Sequence, residues 1–552
     1  MRCNYEPWLW CVAASMALVL EGVRAGGGHF SNDSFQYMSV AENLVDRGDP
    51  STSIVYYDTE RMAGTVPAPS TTFPPGYPIL IAATSLLGLR IETAALVVSA
   101  ASFLVLPPLV LFIARLLGLD RPCSRLVLVA LLGNGWAAHY ALRVGAESLF
   151  TVAQVAALAC FMVHERAPAA SSQSKRALWV GSALVGLAYW VRYAGLFLFC
   201  ALVLFYGTKL LIRRDRTAAR SCAALGAPAL MIAAVMVRNV VITGTWKGGN
   251  TKDVHHAVVP VLKHLVTSVA HSMAGVVRPQ EETLPSVLVV FALAFALVAA
   301  ITFRGARRWR SDIPACETRA DAGAASTRWL LWLYVAVYTA GMVHLGIRSV
   351  ITFGTRMLHP LLPLLLLGIA EAVSRVARSP RTLPAVVRAG AAASCIVPIA
   401  IGLTRASGAS VTRTHAVTEA ALSQSLPDGR PLRDWLAAHL APDSVVVATD
   451  AQATGYLLKR PTVSLVESEY SAEVWDERRV HELMRTYDAD FVVLYPRADA
   501  SQVPVQRESA FLDRVLRGQL PDWLEVVADN GSVTVLHRLD GGRTAGLRTG
   551  VR

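Results

Sequence analysis

The sequence predicts an α-helical polytopic membrane protein of about eleven transmembrane helices, with a long first outer loop carrying amphipathic helices and a small C-terminal extracytoplasmic α/β domain. Three observations predict it. The mean hydropathy is +0.42, and only 17% of the 552 residues are charged. Apolar runs of about 17–25 residues, the length that crosses a bilayer core as a helix, recur along the chain. Past residue 405 the pattern changes to short apolar strands alternating with amphipathic helices.

The apolar runs are 8–24, 92–115, 126–142, 148–164, 177–191, 194–212, 222–237, 285–303, 329–346, 359–376 and 387–404. The first reads as an uncleaved span, because only Arg2 precedes it and further spans follow. The loops after the second, fourth, sixth, eighth and tenth runs are rich in arginine, from Arg115, Arg121 and Arg125 to Arg375, Arg378, Arg381 and Arg388. All fall on one side of the membrane, and the positive-inside rule makes that side cytoplasmic, together with the N-terminus. The net charge of +12 is thereby a topology signal, and no nucleic-acid partner is expected. An odd number of spans places the tail outside. The eight cysteines include no CxxC pair and none follows Cys395, which argues against a metal site and against disulfides in the tail; no cofactor is expected.

Residues 1–404 form the membrane domain in this reading and 415–540 the α/β domain. In the tail, RPLRDWLAAHL and WDERRVHELMRTY are helical, while DSVVVATD, RPTVSLV and DADFVVLYP are strands. EVVADN and SVTVLHRL form a closing hairpin at Asn530-Gly531.

The outer side holds the chemistry-bearing residues. In HFSNDSFQYMSVAENLVDRGDP, residues Tyr37, Val40, Ala41, Leu44 and Val45 give one apolar helical face. Asp33 with Gln36 fits a variant of the capping box, and Gly48 stops the helix. The segment is expected to lie on the outer interface. Pro74-Pro75-Gly76 then forces a turn, and the run to Gly88 is too short to span. Glu147 opens the fourth span, where a carboxylate is also favoured by the helix dipole. Three arginines, Arg192, Arg238 and Arg356, sit at outer ends of spans against the positive-inside rule. Ordinary snorkelling to headgroups is the bland explanation for any one of them. Three together with two acids suggest an anion site with a base beside it. Tyr37, Tyr77, Tyr193 and His359, within the same motifs, are the candidates for contacts with substrate.

The order Asp33-Ser34-x-x-Tyr37, Pro74-Pro75-Gly76-Tyr77-Pro78, Glu147-Ser148, Arg192-Tyr193-Ala194-Gly195 and Arg238-Asn239 resembles the C-type membrane glycosyltransferases. Among them it is most similar to bacterial relatives of the protein O-mannosyltransferases and the lipid A aminoarabinose transferase. The resemblance covers residues 1–405. It implies a polyprenyl-phosphate-linked sugar donor, an acceptor that is protein, lipid or glycan, and a bacterial inner-membrane location. It also implies a catalytic carboxylate in the first outer loop, here Asp33, with Glu147 at the position of a second acid. The paired acid typical of the mannosyltransferases is absent from Asn32-Asp33-Ser34, and no lysine lies in Thr71–Tyr77, which leaves the donor phosphate to the arginines. A transporter or flippase of lipid-linked sugars and a non-catalytic envelope assembly factor are the competing readings.

Overall fold

A computed structural model describes residues 12–20, 28–212, 214–215, 217–248, 255–274, 319–348, 354–378, 416–465, 475–495 and 510–539. The expected spans at 285–303 and 387–404 lie outside the described residues. The chain folds into two compact units. One comprises Met1–Gly28, Leu96–Val235 and Val254–Val411; the other comprises His29–Ala95, Met236–Asp253 and Thr412–Arg552.

The first unit is helical. Among the described residues, four helices are long and apolar enough to cross a membrane: Ile91–Leu116, Ala146–Arg166, Thr217–Thr243 and Gly323–Arg348. Residues 172–191 and 195–211 add two further helices, and Val258–Ala274 forms a helix where no span was expected. The expected third span does not form as one helix. It divides into Arg121–Leu132 and Gly135–Leu142, because the Asn134 side chain accepts from the backbone N–H groups of Trp136 and Ala137 and starts a new helix. Asn134 also donates to the carbonyl of Ser272 at 2.8 Å, which fixes the break in the packed interior.

The second unit combines the first loop with the tail. The loop contributes helix α1 (Asn32–Arg47), strands β1 (Ser51–Thr52) and β2 (Ile54–Val55), helix α2 (Asp58–Arg61), strand β3 (Ala68–Pro69) and helix α3 (Gly76–Ser85). The tail contributes β4 (Val446–Ala448), α4 (Ala451–Leu458), β5 (Thr462–Ser464), α5 (Glu477–Thr486), β6 (Phe491–Leu494), β7 (Leu524–Asp529) and β8 (Thr534–Arg538). The sheet runs β2-β5-β4-β6-β8-β7, with the first four strands parallel and the last two antiparallel. Its edge strand β2 comes from the first loop, so the tail does not build its sheet alone. Strand alternation sends Val446, Ala448, Phe491 and Val493 into one core, with Trp435 and Leu436. It sends Val447, Val463, Val492 and Leu494 into the other, with Met484 and Phe511. Burial on both faces is what a parallel sheet requires.

Candidate active site

Helix α1 differs from its expected form at the start and around its surface. Its N-cap is Ser31, not Asp33. The Ser31 backbone N–H donates to Ser34 Oγ at 2.8 Å, closing a Ser31/Ser34 capping box. Ser34 therefore serves the cap, and Asp33 falls in the first turn of the helix, where the dipole favours an anion. Gly48 ends the helix in the left-handed region (φ 71°), as its position in the sequence predicts. The buried surface of the helix is not one apolar face. Gln36, Ser39 and Asn43 are buried along with Tyr37, Val40 and Ala41, whereas Val45 is exposed. Tyr37 packs edge-on against Tyr77 of α3 at 5.0 Å and against Phe73 at 4.7 Å. Arg238, also in this unit, donates through Nη2 to the carbonyl of Ser70 at 2.9 Å.

The first unit gathers Glu147, Arg192, Arg356 and His359. Glu147 lies in the first turn of the helix Ala146–Arg166 and is 1% exposed at its side chain. Arg192 caps the C-terminus of the helix Ser172–Val191, and the turn that holds it closes onto Gly195. A Cβ on Gly195 would come within 2.6 Å of Ala188 C and Tyr189 Cα, so this turn needs glycine. Arg192 Nη1 donates to Glu147 Oε1 at 2.6 Å, and Arg356 Nε donates to the same oxygen. The two guanidinium groups keep 14% and 26% of their side-chain surface exposed. Glu147 Oε2 is buried and, among the described residues, makes no hydrogen bond. It faces Gly145, where a Cβ would collide with it.

Neighbouring groups hold the Arg356 segment in place. Tyr338 donates its hydroxyl to the carbonyl of Met357 at 2.7 Å, and Gln154 donates to the carbonyl of Pro360. Arg192 Nη2 lies 3.7 Å from the Met357 sulfur. His359 is buried with its ring 4.4 Å from that of Tyr140. Tyr193 stands against Tyr189 at 5.6 Å. Arg143, not among the residues expected from the sequence, acts electrostatically on Glu147 and stacks over Tyr140 at 5.8 Å. The signal was present in HYALRVGAESLF, four residues ahead of the acid. Three arginines around one carboxylate leave this corner with a net charge of +2 (three minus one). Guanidinium groups hydrogen-bond carboxylates and phosphates alike, and here two of them meet on one carboxylate oxygen.

No protein-family model matches the chain, and no curated protein matches it in sequence. Solved structures do match. ArnT from Cupriavidus metallidurans bound to undecaprenyl phosphate is 15% identical, with 99% of this chain and 100% of that chain covered and a TM-score of 0.56. The chain has the fold of the C-type membrane glycosyltransferases. The same fold relates it to the archaeal oligosaccharyltransferase AglB from Archaeoglobus fulgidus, in complex with an inhibitory peptide and a dolichol-phosphate. There the identity is 12%, 89% of this chain and 70% of that chain are covered, and the TM-score is 0.52. The arabinofuranosyltransferase AftD from Mycobacteria is 14% identical, with 96% of this chain and 41% of that chain covered at a TM-score of 0.50.

Proposed function

We propose that this C-type fold transfers a sugar from a polyprenyl-phosphate donor to an extracytoplasmic acceptor hydroxyl, with inversion at the anomeric carbon. The observation that carries the proposal is the arginine corner on Glu147, in a fold whose solved examples include one with undecaprenyl phosphate and one with dolichol-phosphate. Arg192 and Arg356, with Arg143, bind the donor phosphate; Arg238 is kept as a phosphate-binding candidate from its sequence position alone. The guanidinium groups stabilise the charge that grows on the bridging oxygen as the C1–O bond breaks. Asp33 takes the proton of the acceptor hydroxyl, whose oxygen forms the new bond to C1. The bond electrons leave with the polyprenyl phosphate, so one attack gives one inversion. Glu147 does not act as the base in this scheme: its Oε1 is occupied by two guanidinium groups, and its work is to orient them. Tyr37, Tyr77, Tyr193 and His359 are the proposed substrate contacts. The reading places the protein in the bacterial inner membrane, with Asp33 and the arginines facing outward.

The test separates binding from chemistry. Asp33→Asn abolishes sugar transfer in membranes while the purified protein still binds undecaprenyl phosphate. Arg192→Ala and Arg356→Ala lose both. Full transfer by Asp33→Asn would sink its role as base, and undiminished lipid binding by both arginine variants would sink the phosphate site. Loss of lipid translocation, with transfer catalysed by another protein, would favour the flippase reading.

A further inference from the structure

One side of α1 carries a polar stripe at i, i+3 and i+7 that is buried rather than solvated: Gln36, Ser39 and Asn43. Each residue of the stripe is hydrogen-bonded to the segment that follows the helix. Gln36 Nε2 donates to the carbonyl of Ile54 at 3.1 Å, and Gln36 Oε1 accepts from the Thr52 hydroxyl at 3.2 Å. Ser39 Oγ accepts from the Ser53 backbone N–H at 2.8 Å. Asn43 Nδ2 donates to the carbonyl of Ser51 at 2.9 Å. The opposite edge of that segment is used by the tail. Strand β2 pairs with β5 in parallel register, Ile54 beside Thr462 and Val55 beside Val463, and the Thr462 N–H donates to the carbonyl of Ser53 at 2.9 Å.

Residues 51–55 are therefore bonded to α1 on one side and to the tail's sheet on the other. Further ties run in parallel. Tyr456 of α4 stacks on Phe35 of α1 at 4.7 Å. Lys459 pairs with Glu42 at 3.2 Å. Arg61 donates to the carbonyl of Ser464 at 3.3 Å, and the Tyr487 hydroxyl donates to the carbonyl of Arg61 at 2.9 Å. The Lys459 pair is exposed and contributes little. The buried Gln36 and Ser39 bonds are the stiff links, because leaving either partner unmade would strand a buried polar group.

We infer that the C-terminal sheet acts as a clamp on α1, and that Gln36 is a positioning residue for Asp33, which lies one turn earlier on the same helix. The inference rests on the assignment of Asp33 as base. It gives the tail a role in the reaction without a ligand of its own: the sheet fixes the first turns of α1, and with them the direction of the carboxylate. A general base held loosely loses rate steeply, since a misplacement of about 1 Å costs on the order of 100-fold.

Two variants loosen the clamp from opposite ends in the full-length protein. Gln36→Met keeps the length of the side chain and removes both hydrogen bonds. Gly455→Ala acts from inside the tail: the added Cβ would collide with Thr462 Oγ1 and sit 3.2 Å from Ile54 Cγ1, pushing the edge strand outward. Amide hydrogen exchange, undecaprenyl phosphate binding and sugar transfer in membranes are measured for each. The expected result is faster exchange across residues 32–47 by about tenfold or more, unchanged lipid binding, and transfer lowered about 10- to 100-fold. Adding Thr462→Ala to Gly455→Ala removes the colliding atoms and restores both exchange and transfer. Unchanged exchange in 32–47 in both variants overturns the clamp, as does faster exchange with full transfer. If Gln36→Met fails to fold, the Gly455→Ala pair decides the matter alone. Failure of the base assignment is recognised separately, by an active Asp33→Asn protein in which the exchange results still stand.

Discussion

Glu60 is a fully buried carboxyl in the first loop, and its charge is predicted to set how tightly that loop is held. Its Oε2 accepts from the backbone N–H groups of Tyr56 and Tyr57 at 2.9 and 3.2 Å, and the Thr72 hydroxyl stands 3.5 Å from Oε1. Burial dominates these three favourable contacts and raises the pKa from its ordinary 4.5 to about 7. The folded state thus binds the proton more tightly than the unfolded state. The ionised form carries a penalty that is absent below pH 4.5, grows as pH rises to 7, and is complete above that. At 1.36 kcal/mol per pH unit the full penalty is about 3 kcal/mol, of which roughly 2 to 3 kcal/mol develops between pH 5 and 8. Glu60→Gln retains an oxygen that accepts both N–H groups and removes the titration. The assay is amide exchange of residues 54–61, corrected for the intrinsic pH dependence of exchange. Wild-type protection should fall by roughly 30- to 100-fold from pH 5 to pH 8, whereas that of Glu60→Gln should hold. Equal pH slopes in the two proteins, or better wild-type protection at pH 8, would refute the reasoning.

Two further outcomes follow from the arginine corner. Glu147→Ala leaves two largely buried guanidinium groups without their anion and should destabilise the protein by about 3 kcal/mol, the lower end for a broken buried pair because both arginines keep some solvent. Thermal unfolding with and without undecaprenyl phosphate checks this, and the lipid should stabilise Glu147→Ala more than wild type, since the corner gains one positive charge. Gly195→Ala forces a Cβ onto the backbone of Ala188 and Tyr189, so the Arg192 turn must open; the expected loss is about 1–3 kcal/mol in thermal unfolding, together with weaker lipid binding.

What could be read from the sequence was what depends on neighbours in sequence. Gly48 stops α1 because only glycine takes the left-handed conformation there without strain. Pro74-Pro75-Gly76 turns the chain into a ten-residue helix for the same local reasons. Glu147 falls in a helix first turn and Arg192 in a tight turn, where their flanking residues place them. The hairpin at Asn530-Gly531 pairs β7 with β8, with Gly531 at φ 79°. Even within this local range two signals competed. Ser31 and Ser34 outbid Asp33 and Gln36 for the cap, and Asn134 interrupted an apolar run whose hydropathy alone reads as continuous.

Tertiary structure decided what depends on residues far apart. Periodicity cannot tell that Gln36 is buried, since a glutamine on a helix face ordinarily points to water. It is inside because β2 brings a carbonyl to meet it, and β2 is held there by Thr462, more than four hundred residues further along the chain. Arg143 stood in plain view four residues from Glu147, but Arg192 and Arg356 gained their meaning only when they met on one carboxylate oxygen. Local chemistry chose the helices, turns and charges of this protein. Long-range hydrogen bonding and ion pairing, whose partners no local pattern encodes, chose which of those charges meet and which strand closes the sheet.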